Sequence, residues 1–90
     1  MRALRLKGDN NHLYFEKNET KSYREELFEI MDTLTSQGCA IKDKIPGPDC
    51  DLYTCTYNGL RFAICTATDD GSCICVDKEA DLDVIERLFE

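Results

Sequence analysis

Three cysteines carry most of the chemical promise of this chain. Cys65, Cys73 and Cys75 fall within residues 52–76, a stretch that reads as three antiparallel strands joined by two tight turns. Cys73 and Cys75 are two residues apart, so both side chains leave the same side of one strand. Thiols gathered on one sheet face suit a soft metal such as zinc, or oxidation to a disulfide. A structural zinc site takes four ligands in a tetrahedron, commonly from C-x-x-C knuckles, and the sequence has none. Cys50 and His12 are the donors that folding would have to deliver as a fourth ligand. A redox role meets a different objection, because no helix N-terminus or dense cationic cluster adjoins these thiols in sequence to lower a pKa.

The remaining candidates are weaker in pattern. His12 is the single histidine, far in sequence from every cysteine, and its ordinary reading is a solvated residue near a turn. No Ser or Cys sits in a nucleophile elbow. Asp69-Asp70 and Asp81-Leu82-Asp83 do not match a loop with the oxygen count a hard cation needs, and no glycine loop is built to cradle phosphate. No catalytic constellation is present, so the expectation leans away from an enzyme, with no resident cofactor.

The elements that must position these residues follow from turn chemistry. Asn58-Gly59 suits a two-residue type I′ loop, in which both central residues need positive φ. That turn makes Tyr57 and Leu60 neighbours, with Cys55 opposite Phe62 and Tyr53 opposite Ile64. All six then share one face, leaving Leu52, Thr54, Thr56, Arg61, Ala63 and Cys65 on the other. Asp69-Asp70-Gly71 reads as a three-residue loop with Gly71 at the left-handed position. This register puts Thr66 against Ile74, Ile64 against Val76 and Cys65 directly across from Cys75, with Cys73 diagonal to Cys65. A two-residue Asp70-Gly71 loop would instead drive Cys73 and Cys75 into the core, and burial of Ile74 and Val76 favours the longer loop.

Elsewhere the periodicities are plain. Residues 2–7 alternate with Leu4 and Leu6 on the apolar side, Gly8-Asp9-Asn10-Asn11 turns the chain, and residues 12–17 return with Leu13 and Phe15 inward. Ser22 and Glu25 have the spacing of a capping box, and Tyr23, Leu27, Ile30, Met31 and Leu34 form a helical stripe that Gly38 ends. Residues 39–45 read as a strand with Cys39, Ile41 and Ile45 inward and Ala40, Lys42 and Lys44 outward. Pro46-Gly47-Pro48-Asp49 then breaks pairing. Asp77 to Asp83 is acidic, as a helix start favours, and Leu82, Ile85, Leu88 and Phe89 give a second stripe. The expected fold is α+β: a two-layer sandwich of order ββαββββα, with a mostly antiparallel sheet of about six strands and two helices on one face, in a single domain over residues 1–90.

Composition narrows the function classes. The 90 residues carry 42% hydrophobic and 32% charged residues, ordinary for a globular chain and unlike a disordered one. No apolar run approaches a membrane span. Residues 1–7 lack the continuous apolar region of a signal peptide, which places the expectation in the cytoplasm with mostly reduced thiols. The Asn18-Glu19-Thr20 sequon then has no glycosylation to receive. A formal charge of −7 disfavours nucleic acid and anionic membrane and leaves a basic protein surface as a suitable partner.

The two layers separate charge. Helical carboxylates gather on one side, while the open sheet face is expected to carry Arg5, Lys7, Lys42, Lys44 and Arg61 with His12 and Tyr14. The leading expectation is a small acidic cytoplasmic protein-interaction module, of the adaptor, inhibitor or immunity type, acting by surface occlusion on a protein partner or a second copy of itself. Its interaction face would use Tyr14, Lys42, Lys44, Leu52, Arg61, Cys65 and Cys75. The first alternative is a thiol-based metal or redox module using Cys65, Cys73 and Cys75, with zinc as the metal. The second is single-stranded nucleic-acid binding on the open face, which the net charge and the scarcity of exposed aromatics oppose.

Overall fold

The structure, a computed structural model of the chain, describes residues 2–16, 20–67 and 71–90. The elements are β1 (Ala3–Leu4), β2 (His12–Phe15), α1 (Tyr23–Ser36), β3 (Ala40–Pro46), β4 (Asp51–Tyr57), β5 (Leu60–Ala67), β6 (Gly71–Val76) and α2 (Glu79–Arg87). The six strands form one antiparallel sheet in the order β1-β2-β6-β5-β4-β3. The α+β architecture and the ββαββββα order are those the sequence predicts. Asn18, Glu19, Asp69 and Asp70, which figured in the sequon and second-turn readings, lie outside the described residues.

The first hairpin has the predicted register throughout, from Tyr57 opposite Leu60 to Tyr53 opposite Ile64. Asn58 at φ 50° and Gly59 at φ 81° supply the two positive dihedrals of a type I′ turn. The second hairpin differs by two residues: Ala67 pairs with Gly71, Ile64 with Ile74, and Cys65 with Cys73. Gly71 keeps its positive φ of 80° but opens β6 instead of closing the loop. What fixes it there is the next residue. The Ser72 hydroxyl donates to Thr66 Oγ1 at 2.9 Å, and the Ser72 amide donates to Glu26 Oε1 of α1 at 2.8 Å. A shift of two leaves every side chain on its expected face, so Ile74 and Val76 are buried and Cys73 and Cys75 lie outward.

One layer holds the core. Leu13 and Phe15 of β2, Cys55 of β4, Phe62 and Ile64 of β5, and Ile74 and Val76 of β6 face Leu27, Ile30 and Leu34 of α1 and Leu82, Ile85 and Leu88 beside them. Both helices therefore cover the same sheet face. Ser22 caps α1 by accepting the Glu25 amide at 3.3 Å, and its hydroxyl donates to the Glu25 carboxylate at 3.4 Å. Gly38 at φ 95° follows the helix.

Two strands depart from the expected sidedness. In β3, Ile41 pairs with Cys55 but Lys44 pairs with Tyr53, so Lys42 and Asp43 together oppose Thr54 in a bulge. The Thr54 hydroxyl stabilises it by accepting the Asp43 amide at 3.0 Å. The extra residue reverses the alternation. Lys44 turns to the helix side, with its Nζ 5.9 Å from the Tyr53 ring centre and 3.8 Å from Asp51. Ile45 turns outward and is half exposed.

In β1 it is Ala3, opposite Phe15, that faces the core, and Leu6 is 54% exposed. Phe89 packs edge-on against Phe15 at 5.0 Å between centroids, and an alanine leaves room for it. Arg5 shares the side of Ala3 and reaches Asp83 at 2.8 Å and Glu86 at 3.8 Å on α2. It is therefore a helix-side residue and not part of the open face.

Candidate functional site on the open sheet face

Strand order decides what meets on the uncovered face. β6 lies between β2 and β5, so its outward residues Cys73 and Cys75 have neighbours on both sides. Tyr14 pairs with Cys73, Cys73 with Cys65, Cys65 with Leu52 and Leu52 with Ile45. The next row runs from His12 to Cys75 to Ala63 to Thr54. Cys50 reaches the Cys65 thiol from beyond the end of β4. Both donors that the sequence left unplaced thus arrive beside the thiol cluster.

The expected interaction residues separate cleanly. Tyr14, Lys42, Leu52, Arg61, Cys65 and Cys75 lie on the open face. Lys44 does not, because of the β3 bulge, and Arg5 is on the far side for the reason given above. Among the expected basic residues, Lys42 and Arg61 lie on the open face. These two, with Asp43, Thr54, Thr56 and Cys75, border a groove of about 500 Å³.

At its β2 end the face is organised by Asp9, a residue the sequence presented only as part of a turn. Its carboxylate lies 2.9 Å from His12 Nδ1 and accepts the Tyr14 hydroxyl at 2.8 Å and the Asn11 amide at 3.2 Å. The Asn11 side chain in turn donates to the Val76 and Asp77 carbonyls at 3.1 and 3.2 Å. This ties the turn to the end of β6. The spacing Asp9-x-x-His12-x-Tyr14 is a local signal, since a turn followed by alternating outward residues can aim all three together.

Electrostatics follow the contacts. The His12 hydrogen bond, then the Tyr14 one, holds Asp9 below its ordinary range. The carboxylate raises His12, against some opposition from burial, and pushes Tyr14 up to about 12. Among the thiols, Cys75 is drawn down to about 6, first by hydrogen bonding from Cys73 and further by His12, while burial opposes. Cys73 moves upward as its partner, so the pair loses one proton readily and the second with difficulty. Burial pushes Cys65 up to about 11, with Cys50 adding to the rise. Cys39 and Cys55 are buried and raised by desolvation, and they act as small core residues.

All six cysteines are free thiols. Among the described residues no three His, Cys, Asp or Glu side chains gather in a group able to hold a metal ion. No helix is long and apolar enough to cross a membrane. The fold and face define an α+β two-layer protein with one helix-free sheet surface. Comparison with known proteins brings no match from a family model, a curated protein or a solved structure.

Proposed function

We propose that this is a small cytoplasmic protein-interaction module, of the adaptor, inhibitor or immunity type, which lays its open sheet face on a partner and occludes it. The reading is supported by one row of side chains: Ile45, Leu52, Cys65, Cys73 and Tyr14 cross the sheet from β3 to β2 on the side that carries no helix. An apolar and thiol row left facing solvent is a surface suited to docking. The net charge of −7 favours a partner with a basic surface.

Light scattering on the purified chain, with affinity capture from its source cells, tests the reading. Leu52→Glu and Ile45→Glu should abolish the association while leaving the circular dichroism spectrum intact. A monomer whose captured set is identical for wild type and Leu52→Glu overturns it. Thiol-based function has separate support in Cys65 directly across from Cys73. It predicts that mild oxidation links these two residues, which peptide mapping under non-reducing conditions detects.

A further inference from the structure

Cys75 differs from the other thiols in what stands behind it. The β2–β6 register sets His12 directly beside it. His12 Nδ1 is occupied by Asp9 at 2.9 Å, which leaves Nε2 as the ring nitrogen available to the thiol. Asp9 is itself fixed by Tyr14 and Asn11. A nucleophile, a base and a third group that orients the base is the arrangement that activates cysteine. Cys75 also borders the open groove, so an incoming molecule has a path to its sulfur.

We propose that Cys75 is a site of reversible S-thiolation by a low-molecular-weight disulfide, with His12 holding the transferred proton and Asp9 positioning His12. Cys75 Sγ attacks one sulfur of the disulfide. A Cys75–sulfur bond forms as the original sulfur–sulfur bond breaks. The electron pair leaves on the second sulfur, which takes a proton from the His12 imidazolium and departs as a thiol. One disulfide is consumed and one is made, and excess free thiol reverses the exchange.

The surroundings agree with this assignment. Asp9, Tyr14, Cys73 and Cys65 are the titratable neighbours of the pair, and across the groove stand Lys42, Arg61, Asp43 and Asp77, two cations against two carboxylates. With that balance His12, the nearest cation, adds to the Cys73 hydrogen bond in stabilising a Cys75 thiolate. Cys75 is lowered and His12 raised, the directions that favour a thiolate–imidazolium pair, while Cys73, Cys65, Cys39 and Cys55 all move the other way. This inference stands apart from the docking reading, because it needs no protein partner.

The reduced protein is treated with glutathione disulfide, and separately with iodoacetamide, across pH 5 to 9, and each cysteine is followed by peptide mass spectrometry. Cys75 should react first, with a rate midpoint well below the ordinary thiol value of about 8.5. His12→Gln should raise that midpoint by about one unit and slow the reaction severalfold at pH 6, and Asp9→Asn should give a smaller rise. Both side chains are only partly buried, and circular dichroism checks that the fold is kept. A wild-type midpoint at the ordinary value overturns the proposal without any variant. So does faster reaction at another cysteine, or a midpoint that His12→Gln leaves in place.

Discussion

Glu26 reaches from the first turn of α1 to accept the Ser72 amide at 2.8 Å, joining residues 46 positions apart. The same carboxylate would stand 3.1 Å from a Cβ placed on Gly71. One side chain therefore both anchors the start of β6 and crowds any side chain added at Gly71. Glu26→Ala should cost about 1.5 kcal/mol in urea unfolding, as expected for a hydrogen bond to a charged group. Gly71→Ala should cost more than Gly59→Ala. Both have positive φ, worth about 1–2 kcal/mol, but a Cβ on Gly59 meets nothing within 4 Å. In the Glu26→Ala background the two glycine substitutions should become equivalent.

The buried Thr66 and Ser72 hydroxyls, 2.9 Å apart, satisfy each other beneath the sheet. Thr66→Val leaves the Ser72 hydroxyl without its acceptor and should cost about 1–3 kcal/mol. The double variant Thr66→Val, Ser72→Ala should cost clearly less than the sum of the two single changes. A double-mutant cycle by chemical denaturation reads this coupling directly.

The His12–Asp9 pair gives a pH signature with a definite sign. Asp9 raises His12, so its contribution is complete below the unfolded histidine value near 6.5 and fades as pH rises through the higher folded value. His12 lowers Asp9, whose contribution is present above about 3.8 and is lost as pH falls through its lower folded value. The stability difference between wild type and Asp9→Asn should be largest between these limits, from about pH 4 to 6.5. The His12 ring resonance should titrate above 6.5 in wild type and return toward it in Asp9→Asn.

Attachment of α2 separates charge from apolar packing. Arg5 bridges β1 to Asp83 and Glu86 at the surface. Arg5→Ala should therefore cost less than about 1 kcal/mol, and that loss should shrink further in high salt. Ile85 is wholly buried under the helix. Ile85→Ala should cost about 2–5 kcal/mol. Equal losses from the two substitutions would mean that the helix is held by its charges.

The elements that sequence reveals best here are those whose cause is local. Asn58-Gly59 dictates its own dihedrals, and with them the pairing of β4 and β5. Ser22 announces α1 through its cap. The second hairpin differs from its predicted register by two residues, because Ser72 is positioned by Thr66 across the hairpin and by Glu26, which lies 46 residues away. An even shift preserves sidedness, so the buried set was right while the partner of Cys65 was wrong. The β3 bulge has no signature of its own, since Thr54 on the next strand stabilises it, and it moved Lys44 off the face and Ile45 onto it. The meeting of His12 with Cys75 depends on β2 docking beside β6. Only the tertiary arrangement of the apolar strips on Leu13 and Ile74 brings that about.

The margins of the sheet have a consequence for crowded conditions. At one border stands β1, two residues long. At the other, β3 is interrupted by its bulge, flanked by lysines and finished by Pro46, which has no amide hydrogen to donate. Neither border offers a long, flat template for another chain to extend by backbone pairing. The sheet is in effect hemmed on both sides. Concentrating this protein should therefore drive association through its broad surfaces and leave fibrillar, edge-to-edge growth suppressed.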